Sequence, residues 1–360
     1  MAHVLIGEPV STSPEHALGC AGTMANPVLV EVLRGALIES VHCGAVAVVD
    51  ADGASVLALG DVAQPVFPRS AVKALQALPL IETGAADQYG LGDKELAIAC
   101  GSHGGEPAHV AAVEGMLERV GLDEAALECG AHWPSHQPSS HALVRAGRGP
   151  SALHNNCSGK HAGFLCVACR LGIEHRGYGA PAHPVQRAVK AALENLAGVA
   201  LAEGSRAIDG CSVPTWAMPL PSLARAFARF ATGHGLAPVR AQAAARLRAA
   251  CAAEPYYVAG TGRFATAALE RFREGVFVKP GAEGVLCGAI PAQGVGIAVK
   301  VDDGAGRAAE AVMAAVLIRR MRLDGDARAL LDGFARPTLR NWNGIQVGRL
   351  RPSEAVLPVT

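Results

Sequence analysis

Aromatic residues are scarce in this sequence, with Phe, Trp and Tyr together making up 4% of the chain. Charge is thin as well: 18% of residues are charged, and 32 basic side chains are matched by 32 acidic ones. Without Lys/Arg stripes or interleaved aromatics, a protein that tracks a polyanion is excluded, so no nucleic-acid partner is expected. Long apolar runs are missing too. Stretches such as Ala311 to Ile318 fall well short of the roughly 18 apolar residues of a membrane span. The first twenty residues hold no basic region followed by an apolar block, so no secretory signal is expected either.

What remains is a dense globular composition. Of 360 residues, 50% are hydrophobic, which is enough to bury a large core. Residues 1–23 lack periodicity and read as a flexible extension before a second plausible start at Met24. Residues 24–360 read as one domain, or as two closely packed lobes, with no repeat or low-complexity linker between them. The ten cysteines are diluted over a long chain. Reduced thiols in the cytoplasm are therefore expected rather than a disulfide framework.

Hydrophobic periodicity gives the order of elements. Val28 to Arg34, Leu37 to Val41, Ala45 to Val49 and Ser55 to Leu59 read as an antiparallel meander. Pro68 and Ser70 open a helix predicted over Ala71 to Ile81. A helix from Asp93 to Cys100 breaks at Gly101-Ser102-His103-Gly104-Gly105, and Glu106 to Val120 is helical again. Cys129 to Pro150 has no periodicity and reads as a long functional or mobile loop. Helices follow at Lys160 to Leu171, Pro184 to Leu196, Ser222 to Ala231 and Pro238 to Ala252. Strands return at Gly275 to Lys279, Val285 to Ala289 and Val295 to Val301, before a last helix, Ala308 to Met321. Strands at both ends with helices between them predict an α/β (α+β layered) fold, the terminal strands joining in one antiparallel sheet flanked by helices.

The strongest chemical signal is Arg69-Ser70-Ala71-Val72-Lys73. With Ser70 at a helix start, Lys73 lies one turn on along the same face. A lysine acts as a base when desolvation or nearby cations keep it neutral, and Arg69 supplies such a cation. Ser-x-x-Lys is common, however, and a serine at a helix start also serves as an ordinary N-cap. Two further elements point to chemistry. Ser102 is a hydroxyl in a glycine-rich break, and Lys279-Pro280-Gly281 ends a strand. That order is found in Ser-Lys enzymes of the β-lactamase and penicillin-binding type, although the Ser-x-Asn form of the middle element is missing.

A second constellation joins Asn156-Cys157-Ser158-Gly159-Lys160-His161 to Asp209-Gly210-Cys211. Cysteines in tight turns beside an acid and a base suit a zinc ion, but paired Cys-x-x-Cys spacing is absent, so structural turns remain the alternative. Cys166 and Cys169 have redox-type spacing inside an apolar helix, where core packing is the expectation. His132, His136 and His141 could bind metal, but their irregular spacing favours solvent-exposed loop residues.

Taken together, these pieces resemble the Rhizobium-type (class 3) L-asparaginases, the asparaginase II family. Arg69 to Lys73, Ser102-His103, Cys157 to His161, His183 to Gln186, Asp209 to Cys211 with Pro214-Thr215, Val258 to Gly260 and Val299 to Gly304 follow the family order. The resemblance implies a fold related to serine β-lactamases and glutaminases, a homodimer, and hydrolysis of L-asparagine to L-aspartate and ammonia. It implies Ser70 as nucleophile with Lys73 as its base, and Ser102 with Lys279 as a second pair. Arg69, His103 and Asp209 would lie at the substrate. A zinc ion would be held by Cys157, Lys160 and Cys211, with Asp209 behind it. Departures are the extension before Met24, His154 where related chains can carry cysteine, and Thr261 at a position that is acidic in a relative. The rival readings are a glutaminase or other amidohydrolase, a serine peptidase or penicillin-binding-type acyl enzyme, and a non-catalytic zinc-binding protein.

Overall fold

The computed structural model describes residues 26–358, so the expected extension over residues 1–23 lies outside the described residues. Its centre is one antiparallel sheet built from both ends of the chain. The strands run in the order Thr338–Arg340, Gln346–Pro352, Val28–Arg34, Leu37–Asp50, Val295–Val301, Val285–Ile290, Phe277–Pro280. Ser55–Leu59 pairs with the second half of Leu37–Asp50, end to end with Val28–Arg34.

Leu37–Asp50 holds this sheet together. The sequence suggests two strands here, and the structure makes them one of 14 residues. Gly44 sits at the expected break, where a Cβ would lie 2.2 Å from the Lys300 carbonyl oxygen. The glycine therefore serves close backbone approach, not a turn. On one side of it Leu37 to Cys43 pairs with Val28–Arg34, and on the other Gly44 to Asp50 pairs with Val295–Val301.

Helices cover both faces. Leu220–Thr232 lies so close to Val295–Val301 that a Cβ on Gly296 would meet the Ala224 carbonyl at 1.9 Å. Gly306–Arg320 packs on the opposite face, with Met313 Cε against Gly288. Being covered on both sides, Val295–Val301 is almost wholly buried and apolar. A further helical layer, containing Asp93–Ala99, Pro107–Glu118, Ser158–Leu171 and Pro238–Ala253, stands beside the sheet.

Three expectations are corrected. The helix predicted over Ala71 to Ile81 is a 3₁₀ turn, Arg69–Val72, followed by short helices Lys73–Gln76 and Leu78–Glu82. The stretch 129–150 is not all loop: Gln137–Arg145 is helical but buries no residue, so it leaves no apolar period in the sequence. Gly306–Arg320 is not the last element, because Gly325–Ala335 and a two-stranded edge follow it. Among the described residues no helix is long and apolar enough to cross a membrane, and the nine described cysteines are unbridged.

Candidate active site

The loop after Asp93–Ala99 carries Ser102. It is fixed from below: the Ser102 N–H donates to the Val258 carbonyl at 2.8 Å, and a Cβ on Gly101 would lie 2.5 Å from the Tyr257 carbonyl oxygen. Two lysines converge on the Ser102 hydroxyl. Lys279, from the edge strand Phe277–Pro280, donates to Oγ at 2.7 Å, and Lys73 donates to it at 3.0 Å. Both amines are buried, and each also donates to a backbone carbonyl, Lys279 to Pro280 and Lys73 to Asn156. Burial, reinforced by the charge of Lys73, holds Lys279 well below the ordinary lysine value. The second Ser-Lys pair is thus formed in the structure, and the first lysine joins it.

Ser70 stands in the 3₁₀ turn, packed against the strands 277–280 and 285–290. It is not a cap, since the turn is capped by Pro68 without a side-chain bond. Among the described residues its hydroxyl makes no hydrogen bond, including none to Lys73. Beside it Arg69 takes φ +51°, a left-handed conformation costly for a residue with a Cβ. The twist aims its guanidinium at Asp209, whose carboxylate accepts from Arg69 Nε at 2.5 Å and from the Gly210 N–H at 2.8 Å. Burial alone would raise the Asp209 carboxyl. The charges of Lys160 and Arg69 and these N–H donors hold it below the usual range instead.

Next to Lys73 lies the thiol cluster. Lys160, buried on helix Ser158–Leu171, donates to Cys211 Sγ at 3.0 Å. The hydrogen bond between the Cys157 and Cys211 sulfurs, together with the charges of Lys73 and Lys160, pulls Cys157 below the ordinary thiol value, while that bond and burial push Cys211 up. Burial works against the Lys160 charge, but the two sulfurs outweigh it and keep its pKa raised.

The model of the L-asparaginase II family matches residues 30–352. The chain belongs to that family. An asparaginase-type amidohydrolase activity follows from the membership. No curated protein matches the chain. Among solved structures, the crystal structure of a beta-lactamase from Mycobacterium bovis is similar at 17% identity and a TM-score of 0.36, covering 77% of this chain and 94% of that one.

Within this family member the expected metal set is brought together as two thiols and an amine. Among the described residues no group of three or more His, Cys, Asp or Glu that could hold a metal ion is found, so the expected set differs from such a group in having the Lys160 amine beside its two thiols. Thiolates and nitrogen are donors zinc accepts, and the site fits it on that chemistry. The loop histidines do not converge on it. His132 Nε2 accepts from the Asn156 N–H at 2.8 Å, and His136 Nδ1 meets Ser139 Oγ at 2.8 Å. His103, expected at the substrate, lies below the site with both ring nitrogens engaged, Nε2 with Ser158 Oγ and Nδ1 with the Gly105 N–H. Burial and the nearby His109 and Lys73 hold its ring well below the ordinary histidine value. Cys166 packs in the core.

Sequence reading named Asn156 at the head of the second constellation but gave it no role. Its carbonyl takes Lys73, and its side-chain oxygen accepts from Cys157 Sγ at 3.1 Å. It joins the hydroxyl–lysine half of the site to the thiol half. The only sequence signal was its place immediately before Cys157.

Proposed function

We propose that the protein hydrolyses L-asparagine to L-aspartate and ammonia through a serine acyl-enzyme. The observation that carries this reading is the Ser102 hydroxyl held between Lys73 and Lys279, whose amine burial holds well below the ordinary lysine value. Two ammonium groups cannot share one hydroxyl cheaply, so one lysine serves as a neutral base at ordinary pH.

Ser70 carries the nucleophilic oxygen in this scheme, because its hydroxyl is uncommitted while that of Ser102 is bound by two amines. Substrate binding would bring the Ser70 hydroxyl to Lys73, and its proton would pass through Lys73 and Ser102 to Lys279 as Oγ attacks the side-chain amide carbon. The tetrahedral intermediate expels ammonia, which leaves with a proton returned along the same chain. Water, deprotonated by the same relay, then cleaves the β-aspartyl ester. The outer guanidinium nitrogens of Arg69 would meet the substrate α-carboxylate, and the Asp209 carboxylate would meet the α-ammonium. Cys157, Lys160 and Cys211 would hold a zinc ion, which would act as a Lewis acid that orients or polarises bound substrate. Homodimeric assembly and a cytoplasmic location accompany this reading on the strength of the family resemblance.

The close hydrogen bonds to Ser102 favour one second reading, in which Ser102 itself attacks with Lys279 as its base. Ammonia release from asparagine and from glutamine, by wild type and Ser70→Ala, with and without added zinc, tests the proposal. Release from asparagine that vanishes in Ser70→Ala supports both reaction and nucleophile. Faster release from glutamine would make the protein a glutaminase, and none from either amide by folded, zinc-loaded protein would sink the amidase reading.

A further inference from the structure

Beside the reaction centre lies a second concavity that the chemistry above does not use. It is set between helices Pro107–Glu118 and Gln137–Arg145 and encloses about 550 Å³. That volume is typical of small-molecule sites, roughly 300–1,000 Å³. Val110, Leu143 and Leu153 give it an apolar wall, which explains how Gln137–Arg145 stays in place while burying none of its residues: it spans a cleft.

Three polar side chains line the same space with bonding capacity left over. His154 is 7% exposed, and its Nδ1 accepts from the Ser151 N–H at 3.1 Å. The neutral ring therefore carries its proton on Nε2, and among the described residues that nitrogen has no hydrogen-bond partner. Arg148, close enough for its charge to act on His154, makes no ion pair or side-chain hydrogen bond among the described residues. Glu114, on the opposite helix, makes none either. The nearby Glu124 accepts from the Ala152 N–H at 2.8 Å through one oxygen, and its charge also acts on His154.

We propose that this cleft is a binding site for a free α-amino acid with an apolar side chain, separate from the position of the reacting amide. The carboxylate meets Arg148 and the His154 Nε2–H, the ammonium meets Glu114, and the side chain lies on Val110, Leu143 and Leu153. Both signs of charge lining one cleft with an apolar wall match a zwitterion of this kind. A simple anion would leave Glu114 facing a like charge, and a cation would face Arg148. The ligand would rest on the segment His154 to Cys157, whose Asn156 carbonyl accepts from Lys73.

Calorimetric titration of the full-length chain with L-leucine, in the absence and presence of excess L-aspartate, is the test. Leucine has no side-chain amide, so its binding and the asparaginase reading stand or fall separately. The expected result is one site per chain, undisturbed by aspartate, and weakened about tenfold or more in Arg148→Ala through loss of a charge-assisted bond. Arg148 is exposed, and its truncation removes no buried contact, so the variant is expected to fold. L-Leucinamide, which lacks the carboxylate, should bind wild type no better than L-leucine binds Arg148→Ala. Absence of leucine binding, equal binding by Arg148→Ala, or displacement by aspartate would each overturn the proposal.

Discussion

Lys279 reaches Ser102 across 2.7 Å, although the two residues are 177 positions apart in the chain. One comes from the edge of the sheet and the other from a glycine-rich break in the helical layer, so their contact exists only when the layers are docked. Lys73 completes the triangle from a third element.

The two serines are expected to separate in a trapping experiment. Ser70→Ala should lose about 10⁴-fold or more in kcat, as removal of a nucleophile does, and should give no covalent adduct by mass spectrometry with a slow asparagine analogue. Ser102→Ala should lose about 10²–10⁴-fold, the range of a proton-transfer role, while still forming the adduct. An adduct in Ser70→Ala and none in Ser102→Ala would move the nucleophile to Ser102.

Lys279 ties activity to pH with a definite sign. Its active form is the neutral amine, so kcat/KM should fall as pH drops through its depressed pKa and level off above it, well short of the ordinary lysine range. Lys279→Arg, which cannot deprotonate, should be inactive throughout. A profile that keeps rising to the ordinary lysine range near 10.5 would contradict the assignment.

The same depression costs stability. Between the folded value and the ordinary 10.5, the unfolded chain binds a proton that the folded one does not, so stability rises with pH across that window. Lys279→Met removes this penalty. It should raise Tm by about 2–4 °C at neutral pH while abolishing turnover, measurable by calorimetry beside an ammonia assay.

Metal content should follow the thiol cluster. Purified protein is expected to carry one zinc per chain by elemental analysis, and Lys160→Ala or Cys211→Ala should lose it. Because Lys160 must give up its proton to bind, zinc should also be released progressively as pH falls. Zinc retained in full by both variants would place it elsewhere.

Gly159 controls how the two halves of the site meet. A Cβ there would stand 2.5 Å from the Ile98 carbonyl oxygen, inside the contact between helices Ser158–Leu171 and Asp93–Ala99. Gly159→Ala should therefore destabilise by about 1–3 kcal/mol in chemical denaturation. It should also lower kcat by shifting Lys160 and Ser102 apart.

The main strands and most helices were legible because their apolar periods are strong. Val295–Val301, a continuous buried run, has the same bounds by pattern as in the structure. The edge hairpin after Ala335 left little trace, since Thr338–Arg340 is largely solvent-facing and Gln346–Pro352 alternates with arginine. At the site, residue types and order foretold which side chains gather, but not who bonds whom. Lys73 sits three residues after Ser70, which suggests a private pair. The turn at Arg69–Val72, with Arg69 at positive φ, instead directs its amine to Ser102 and the Asn156 carbonyl. Local spacing cannot encode that choice, because the competing acceptors come from distant elements.

The pairing of Leu37–Asp50 with Val295–Val301 also sets a timetable. Val46 faces Val299, so roughly 250 residues must leave the ribosome before the strand finds that partner. At ~5–20 residues per second, translation alone imposes a wait of about 10–50 s. During it an apolar strand edge stands open, inviting chaperone capture or intermolecular pairing. Ser70, Lys73 and Ser102 emerge early and Lys279 well after them, so the nascent chain acquires its base only after the rest of that group has left the ribosome.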